Sequence, residues 1–251
     1  MEKTRSYTAR TENELKFDFT DFDTLHEDEW DEKSIGRLDE PMWDKRYDYE
    51  ARLITEAILY KHNIKTVLEL GSGPGILSQK IQKDNPNLTY HLVDKEYAKK
   101  YFDDNNFEGK MFVKDLSTGF DTSGLLDNYD LIITNDFLEH VLNPSGIARA
   151  TYDITHKDSK WLVSNPNWRM GHQYVYRGLF DFDNLVYFMH VHGFSIMDCF
   201  ASSLKIAPLE QIKKAAPKLA SESQLPDSML DSWNHYMLFK RREIEKYGTR
   251  N

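Results

Sequence analysis

Val67-Leu68-Glu69-Leu70-Gly71-Ser72-Gly73-Pro74-Gly75-Ile76-Leu77 is the stretch on which the reading of this chain turns. A short apolar run without helical period meets three alternate glycines, and an amphipathic stretch carrying Ile76, Leu77 and Ile81 follows at once. That order reads as strand, tight turn, helix. Glycine is needed where the backbone turns with positive φ, or where a ligand lies against main chain with no Cβ in the way. The loop also brings N–H groups to a helix N-terminus, which suits a polar or anionic ligand group. A dinucleotide fingerprint would want glycines at 71, 73 and 76, but position 76 is Ile and the third glycine stands at 75, which weakens a nicotinamide-cofactor reading.

Outward from the loop, strands and helices alternate. On the N-terminal side, Pro41 opens a helix whose face Tyr47, Ala51, Ile54, Ala57, Ile58 has helical spacing and which ends near Asn63, packing on the sheet. On the C-terminal side, Tyr90-His91-Leu92-Val93 is a second strand ending at Asp94, about 20 residues beyond the glycines, where an acid meets a ribose. Met111-Phe112-Val113 is a third, ending at Lys114-Asp115-Leu116. Leu131-Ile132-Ile133-Thr134 is a fourth, ending at Asn135-Asp136. Trp161-Leu162-Val163-Ser164 is a fifth, ending at Asn165-Pro166-Asn167. Helices are expected over Pro144 to His156 and Asp183 to His192, the second stopped by Gly193. Phe194 to Phe200 reads as a sixth strand and His235 to Lys240 as a seventh. Polar residues at the carboxyl end of strand after strand point to a ligand site there, because open parallel α/β sheets bind ligands beyond those ends. Each Asp or Asn taken alone also reads as a helix cap or turn residue.

Composition narrows the function classes. The 251 residues carry a net charge of −9, which argues against a broad phosphate-binding surface and makes nucleic acid an unfavoured partner. Cys199 is the one cysteine, so neither an intrachain disulfide nor a cysteine-based metal cluster is available. Glu139-His140 lacks the second histidine at helical spacing of a one-helix metal motif, so no metal is expected. The polar first ten residues lack a signal-peptide core, and no apolar run approaches the ~18 residues of a membrane span. A soluble, cytoplasmic protein without membrane association is the expectation. Residues 1–46 form an acidic, aromatic N-terminal extension or lid, with Phe17, Phe19, Phe22, Trp30 and Trp43 among Asp and Glu. Residues 47–251 form the main domain, with an insertion near 207–231.

The glycine loop, the acids after the second and third strands, and Asn135-Asp136-Phe137-Leu138-Glu139-His140-Val141 after the fourth together resemble the class I S-adenosylmethionine-dependent methyltransferases. Pro166-Asn167, Phe180-Asp181-Phe182-Asp183-Asn184-Leu185 and His192-Gly193-Phe194 resemble its small-molecule branch, which includes ubiquinone-biosynthesis O-methyltransferases. The resemblance covers roughly Tyr47 to Lys240. It implies a Rossmann-like α/β fold with helices on both faces of a seven-stranded, mostly parallel sheet. The last strand would be antiparallel and inserted beside the fifth, in the order 3-2-1-4-5-7-6. It implies S-adenosylmethionine as cofactor, with Gly71, Ser72 and Gly73 against its methionine part and Glu69 beneath them. Asp94 would take the ribose hydroxyls, Asp115 and Leu116 the adenine, and Asn135 would lie near the sulfonium. Lys95 departs from the apolar or small residue the family often packs on the adenine; its aliphatic stem could take that place, or the side chain could point to solvent.

Methyl transfer from a sulfonium is an in-line displacement, so alignment and exclusion of water dominate and no strong catalytic motif is required. A hydroxyl acceptor benefits from a general base, for which His140 is the candidate; a helix-start histidine bonded to backbone is the alternative. Asn167, Trp168, His172 and Tyr174 are candidates for the pocket of a small-molecule methyl acceptor, and packed loop residues otherwise. Two further readings stay open. Asn165-Pro166-Asn167-Trp168 is similar to the motif of amino methyltransferases acting on nucleic-acid bases, although Asn167 replaces its second proline and the motif falls after the fifth strand instead of the fourth. A non-catalytic binding module of the same fold is the other.

Overall fold

The computed structural model describes residues 41–166, 179, 182–202 and 234–243. The expected N-terminal lid up to residue 40, the insertion near 207–231, and Asn167, Trp168, His172 and Tyr174 lie outside them. A seven-stranded sheet runs through the described residues in the order β3-β2-β1-β4-β5-β7-β6. The strands are β1 Thr66–Leu70, β2 Thr89–Asp94, β3 Lys110–Val113, β4 Tyr129–Asn135, β5 Thr155–Pro166, β6 Phe194–Ser202 and β7 Asn234–Arg241. β1 pairs in parallel with β2 and β4, and β4 in parallel with β5, whereas β7 is antiparallel to both β5 and β6. The expected order and the inserted antiparallel last strand are therefore what the chain adopts.

β1 sits at the centre because its side chains can be buried on both faces. Val67, Leu68 and Leu70 are wholly inaccessible, as a strand paired on both edges and covered on both faces requires. One layer is built from α1 Pro41–Ile54, α2 Ile76–Asp84 and α3 Glu96–Asp104, with Leu53, Ile58, Ile81, Leu92, Ile133 and Leu162 in its core. The other uses α4 Pro144–Asp153 and α5 Phe182–Val191, with Leu68, Ile132, Ile147, Trp161, Leu185 and Phe239. Alternate residues of β1 and β4 feed the two cores, the period of a strand.

α1 continues through a π-helical turn, Thr55–Leu59, and a last α turn, Tyr60–His62, before Asn63 ends it in the left-handed conformation (φ 51°). The expected buried face holds at Ala51, Ile54, Ala57 and Ile58, while Tyr47 is half-buried. Glu50, on that same helix, is wholly buried, which periodicity did not anticipate.

One boundary differs materially from expectation. The helix expected over Pro144 to His156 ends at Asp153, and Thr155 already belongs to β5, so this strand is twelve residues long. Its first half is polar, with His156 Nε2 bonded to Asp130 and Ser159 Oγ donating to the Tyr129 carbonyl at 2.6 Å. A register shift between Tyr129 and Leu131 accommodates it.

Candidate active site

The strand order reverses between β1 and β4, and the crevice beyond their carboxyl ends is where sheets of this kind hold ligands. Two groups of side chains meet there.

The first surrounds the glycine loop. Gly71, Gly73 and Gly75 all have positive φ, at 69°, 52° and 84°. Gly71 and Ser72 donate N–H bonds to the Val93 carbonyl at 2.9 and 3.4 Å, and Gly73 N–H donates to Asp94 Oδ2 at 2.6 Å. Asp94 Oδ1 accepts from Lys95 N–H at 2.7 Å and Tyr97 hydroxyl at 3.4 Å. Burial lifts the Asp94 carboxyl above its ordinary range, while the Lys95 and Gly73 amides and the Tyr97 hydroxyl pull it back. The loop is thus tied to β2 by the residue expected to take the ribose. Lys95 has extended backbone and precedes α3.

Glu69, on β1 two residues before the first glycine of the loop, is buried and accepts the Tyr90 hydroxyl at 2.8 Å. Its carboxyl is pushed up to about 8, chiefly by burial and further by the neighbouring Glu50 and Asp94 charges, against which the Tyr90 bond pulls it down. Asp115, exposed at the end of β3, accepts both N–H and hydroxyl of Ser117, at 2.9 and 2.6 Å. Leu116 beside it is buried in the core.

The second group was not foreseen, apart from Asn135. Glu50 Oε1 accepts from Arg46 Nε at 2.8 Å and the Tyr236 hydroxyl at 2.7 Å, and Glu50 Oε2 accepts from Asn135 Nδ2 at 3.1 Å. Arg46 Nη2 also pairs with Asp136. Asp136 Oδ1 accepts from Asn234 Nδ2 at 2.7 Å and from Ser164 Oγ at 3.0 Å, and Ser164 Oγ reaches Asn135 Oδ1 as well. Asp136 takes a left-handed backbone (φ 47°), a conformation Asp tolerates better than most residues, and this re-aims the chain at the end of β4. Burial would weaken the Arg46 charge, but Asp136 and Glu50 outweigh it and keep the guanidinium protonated. The charges of Arg46, Glu50, Asp136 and Glu69 all act on the phenol of the half-buried Tyr47, whose ionisation is opposed most by its removal from solvent. α1, β1, β4, β5 and β7 therefore meet through polar side chains at one end of the sheet.

Asn135 is thus engaged with Glu50 and Ser164. His140 lies on a 3₁₀ turn, Leu138–His140, that follows the Asp136 bend. Its N–H donates to the Phe137 carbonyl at 3.0 Å, and its Nε2 is 3.8 Å from Oε1 of the fully buried Glu139. Arg46 and Glu50 sit four apart on α1, an ion-pair spacing that was available in the sequence. Nothing in the sequence joins them to Asn234 and Tyr236.

Comparison with known proteins agrees with this architecture. Residues 42–216 match the family model described as a methyltransferase domain. No curated protein matches the chain. The plantazolicin methyltransferase BpumL, solved in complex with SAH, superposes with a TM-score of 0.57 at 16% identity over 89% of this chain and 99% of that one. An S-adenosylmethionine-dependent methyltransferase from Clostridium acetobutylicum ATCC 824 gives 0.56 at 11% identity, over 90% of this chain and 99% of that one. The mitomycin 7-O-methyltransferase MmcR gives 0.55 at 12% identity, over 88% of this chain and 60% of that one. Among the described residues no helix is long and apolar enough to cross a membrane. With the match spanning more than half of its length, the chain belongs to the methyltransferase domain family, on the fold of the class I S-adenosylmethionine-dependent enzymes.

Proposed function

We propose that this protein transfers the methyl group of S-adenosylmethionine to a small-molecule acceptor, through oxygen. The observation that carries the cofactor part is the Gly73–Asp94 hydrogen bond, 2.6 Å long, which brings the glycine loop and the acid of β2 to one rim of the crevice. The residues present fit such a ligand. A carboxylate offers about four lone-pair directions; the Gly73 and Lys95 amides take two on Asp94, and a pair of ribose hydroxyls would use the remaining two by displacing the long Tyr97 hydroxyl contact at 3.4 Å. Gly73, left-handed at φ 52°, carries no side chain over the main chain where the methionine part would lie, whereas the α-carbon of Gly71 is covered by Phe137. Asp115 and Leu116 would border the adenine, and the Lys95 stem its face.

The bound cofactor supplies an electrophilic methyl group on a sulfonium. The chain's part is to align an acceptor oxygen behind that methyl, to exclude water and to receive a proton. His140 is the base in this reading: its imidazole would take the proton of the acceptor O–H as the oxygen gains the methyl group, with the electron pair of the broken methyl–sulfur bond left on a neutral thioether. Glu139, 3.8 Å away, would stabilise the resulting imidazolium. Asn167, Trp168, His172 and Tyr174 would line the acceptor pocket.

The net charge of −9 supports a small molecule over a nucleic acid, since a polyanion gains affinity by having its phosphates neutralised. The fold also accommodates such acceptors, being shared with methyltransferases named for plantazolicin and mitomycin. Titration calorimetry with S-adenosylhomocysteine tests the cofactor part. Micromolar binding that weakens in a folded Asp94→Ala variant is expected, and equal affinity in both proteins would refute it.

A further inference from the structure

Asn234 opens β7, pairing with Pro166 of β5 on one side and Ser202 of β6 on the other. Its side chain is wholly buried, and its Nδ2 donates to Asp136 Oδ1 at 2.7 Å. A carboxylate in this state can only accept, so that bond fixes which arm of the amide carries the oxygen. The other arm, Oδ1, is buried without a hydrogen-bond partner. Buried polar atoms are paired in the great majority of cases; Asn234 Oδ1 is one of several exceptions among the described residues, and each calls for a physical reason.

Its surroundings supply one. Asp136 follows directly on Asn135 at the carboxyl end of β4, beside the point where the strand order reverses. Arg46 Nε and Nη2, Asn135 Nδ2, the Tyr236 hydroxyl and Asn234 Nδ2 all donate to Glu50 or Asp136. The unmet hydrogen-bonding capacity at Asn234 is therefore acceptor capacity.

We infer that Asn234 is a ligand-contacting specificity residue, its Oδ1 accepting a hydrogen bond from an N–H or O–H group of the bound reactants. The inference rests on the methyltransferase reading and adds the chemistry the site selects. A ligand with a donor at this point completes the amide, whereas one without it leaves a buried oxygen unpaired, a strong basis for discrimination. Two sources can bring the donor: an amine or hydroxyl of the methyl acceptor, or the α-ammonium group of S-adenosylmethionine.

The test compares wild type, Asn234→Leu, and the exchange variant Asp136→Asn/Asn234→Asp, which restores an amide–carboxylate bond and keeps an acceptor oxygen on β7. Binding of S-adenosylhomocysteine is measured by calorimetry, and methyl transfer from labelled S-adenosylmethionine into a metabolite extract by counting, with melting temperature as the folding control. With the donor on the acceptor, Asn234→Leu binds S-adenosylhomocysteine within about twofold of wild type but transfers about tenfold to a hundredfold less, and the exchange variant recovers transfer. With the donor on the cofactor, S-adenosylhomocysteine affinity itself drops by that factor and returns in the exchange variant, while 5′-methylthioadenosine, which lacks the ammonium, binds equally to all three. Unchanged binding and transfer in Asn234→Leu overturns the inference, as does a loss that the exchange variant shares at an unchanged melting temperature. A wild-type protein that neither binds S-adenosylhomocysteine nor transfers methyl overturns the methyltransferase reading, and the inference with it.

Discussion

Phe137 lies directly against the α-carbon of Gly71: a Cβ built on Gly71 would stand 2.9 Å from the Phe137 Cβ and closer still to its ring. The glycine loop at the end of β1 and the bend at the end of β4 are in contact through this pair. Gly71 is thus required twice, by its φ of 69° and by the ring above it.

Gly71→Ala should therefore lower stability by well over the ~1–2 kcal/mol of a left-handed non-glycine residue. In a Phe137→Ala background the added cost of Gly71→Ala should shrink to about that strain alone. A urea-unfolding double-mutant cycle reads the difference, and additive costs would show that the ring does not set the requirement.

Removing one partner from the buried charges of the second group should be severe. Glu50→Ala removes the acceptor of Arg46 Nε, Asn135 Nδ2 and the Tyr236 hydroxyl while Arg46 keeps Asp136, and is expected to cost about 3 kcal/mol, with Glu50→Gln costing less because an acceptor oxygen remains. Equal unfolding midpoints for wild type and Glu50→Ala would mean that α1 is held to the strand ends by its apolar face alone.

Glu69 makes stability depend on pH. Its carboxyl releases its proton at about 8 when folded, against an ordinary 4.5, chiefly through burial. Between those values the folded state holds more protons than the unfolded one. The stability this provides is complete below about 4.5 and is lost as pH rises through about 8. Glu69→Gln should flatten the decline of melting temperature across that window, and parallel curves would assign the decline to other groups.

His140→Ala should lower the single-turnover rate by about 10²–10⁴ while leaving S-adenosylhomocysteine affinity nearly unchanged, if His140 takes the acceptor proton. A lower melting temperature with an intact rate and pH profile would make it a structural residue of the 3₁₀ turn.

The sheet was legible in the sequence because its central strands are short apolar runs ending in polar residues, and burial on both faces leaves little else for Val67–Leu70 or Leu131–Thr134 to be. The start of β5 was not, since His156, Lys157 and Asp158 carry no strand period and pairing with Tyr129 draws them in. Among the cofactor candidates, Gly73, Asp94 and Lys95 meet, because a loop after one strand and an acid after the next are adjacent in a parallel sheet. The Arg46–Glu50–Asp136–Asn234–Tyr236 group was hidden for the opposite reason. Its members come from three elements far apart in the chain, and a buried glutamate on an amphipathic helix looks in sequence like a misplaced surface residue.

The measurement that bears most directly on the central claim follows label from [methyl-³H]S-adenosylmethionine into a cell extract separated into metabolite, protein and nucleic-acid fractions, with Asp94→Ala beside wild type. Asp94→Ala is expected to weaken cofactor binding by about 2–4 kcal/mol, from two charge-assisted hydrogen bonds that do not add fully. The account predicts enzyme-dependent label in the metabolite fraction, lost with Asp94→Ala at subsaturating cofactor. Label in the nucleic-acid or protein fraction, or equal labelling by both proteins, would contradict it.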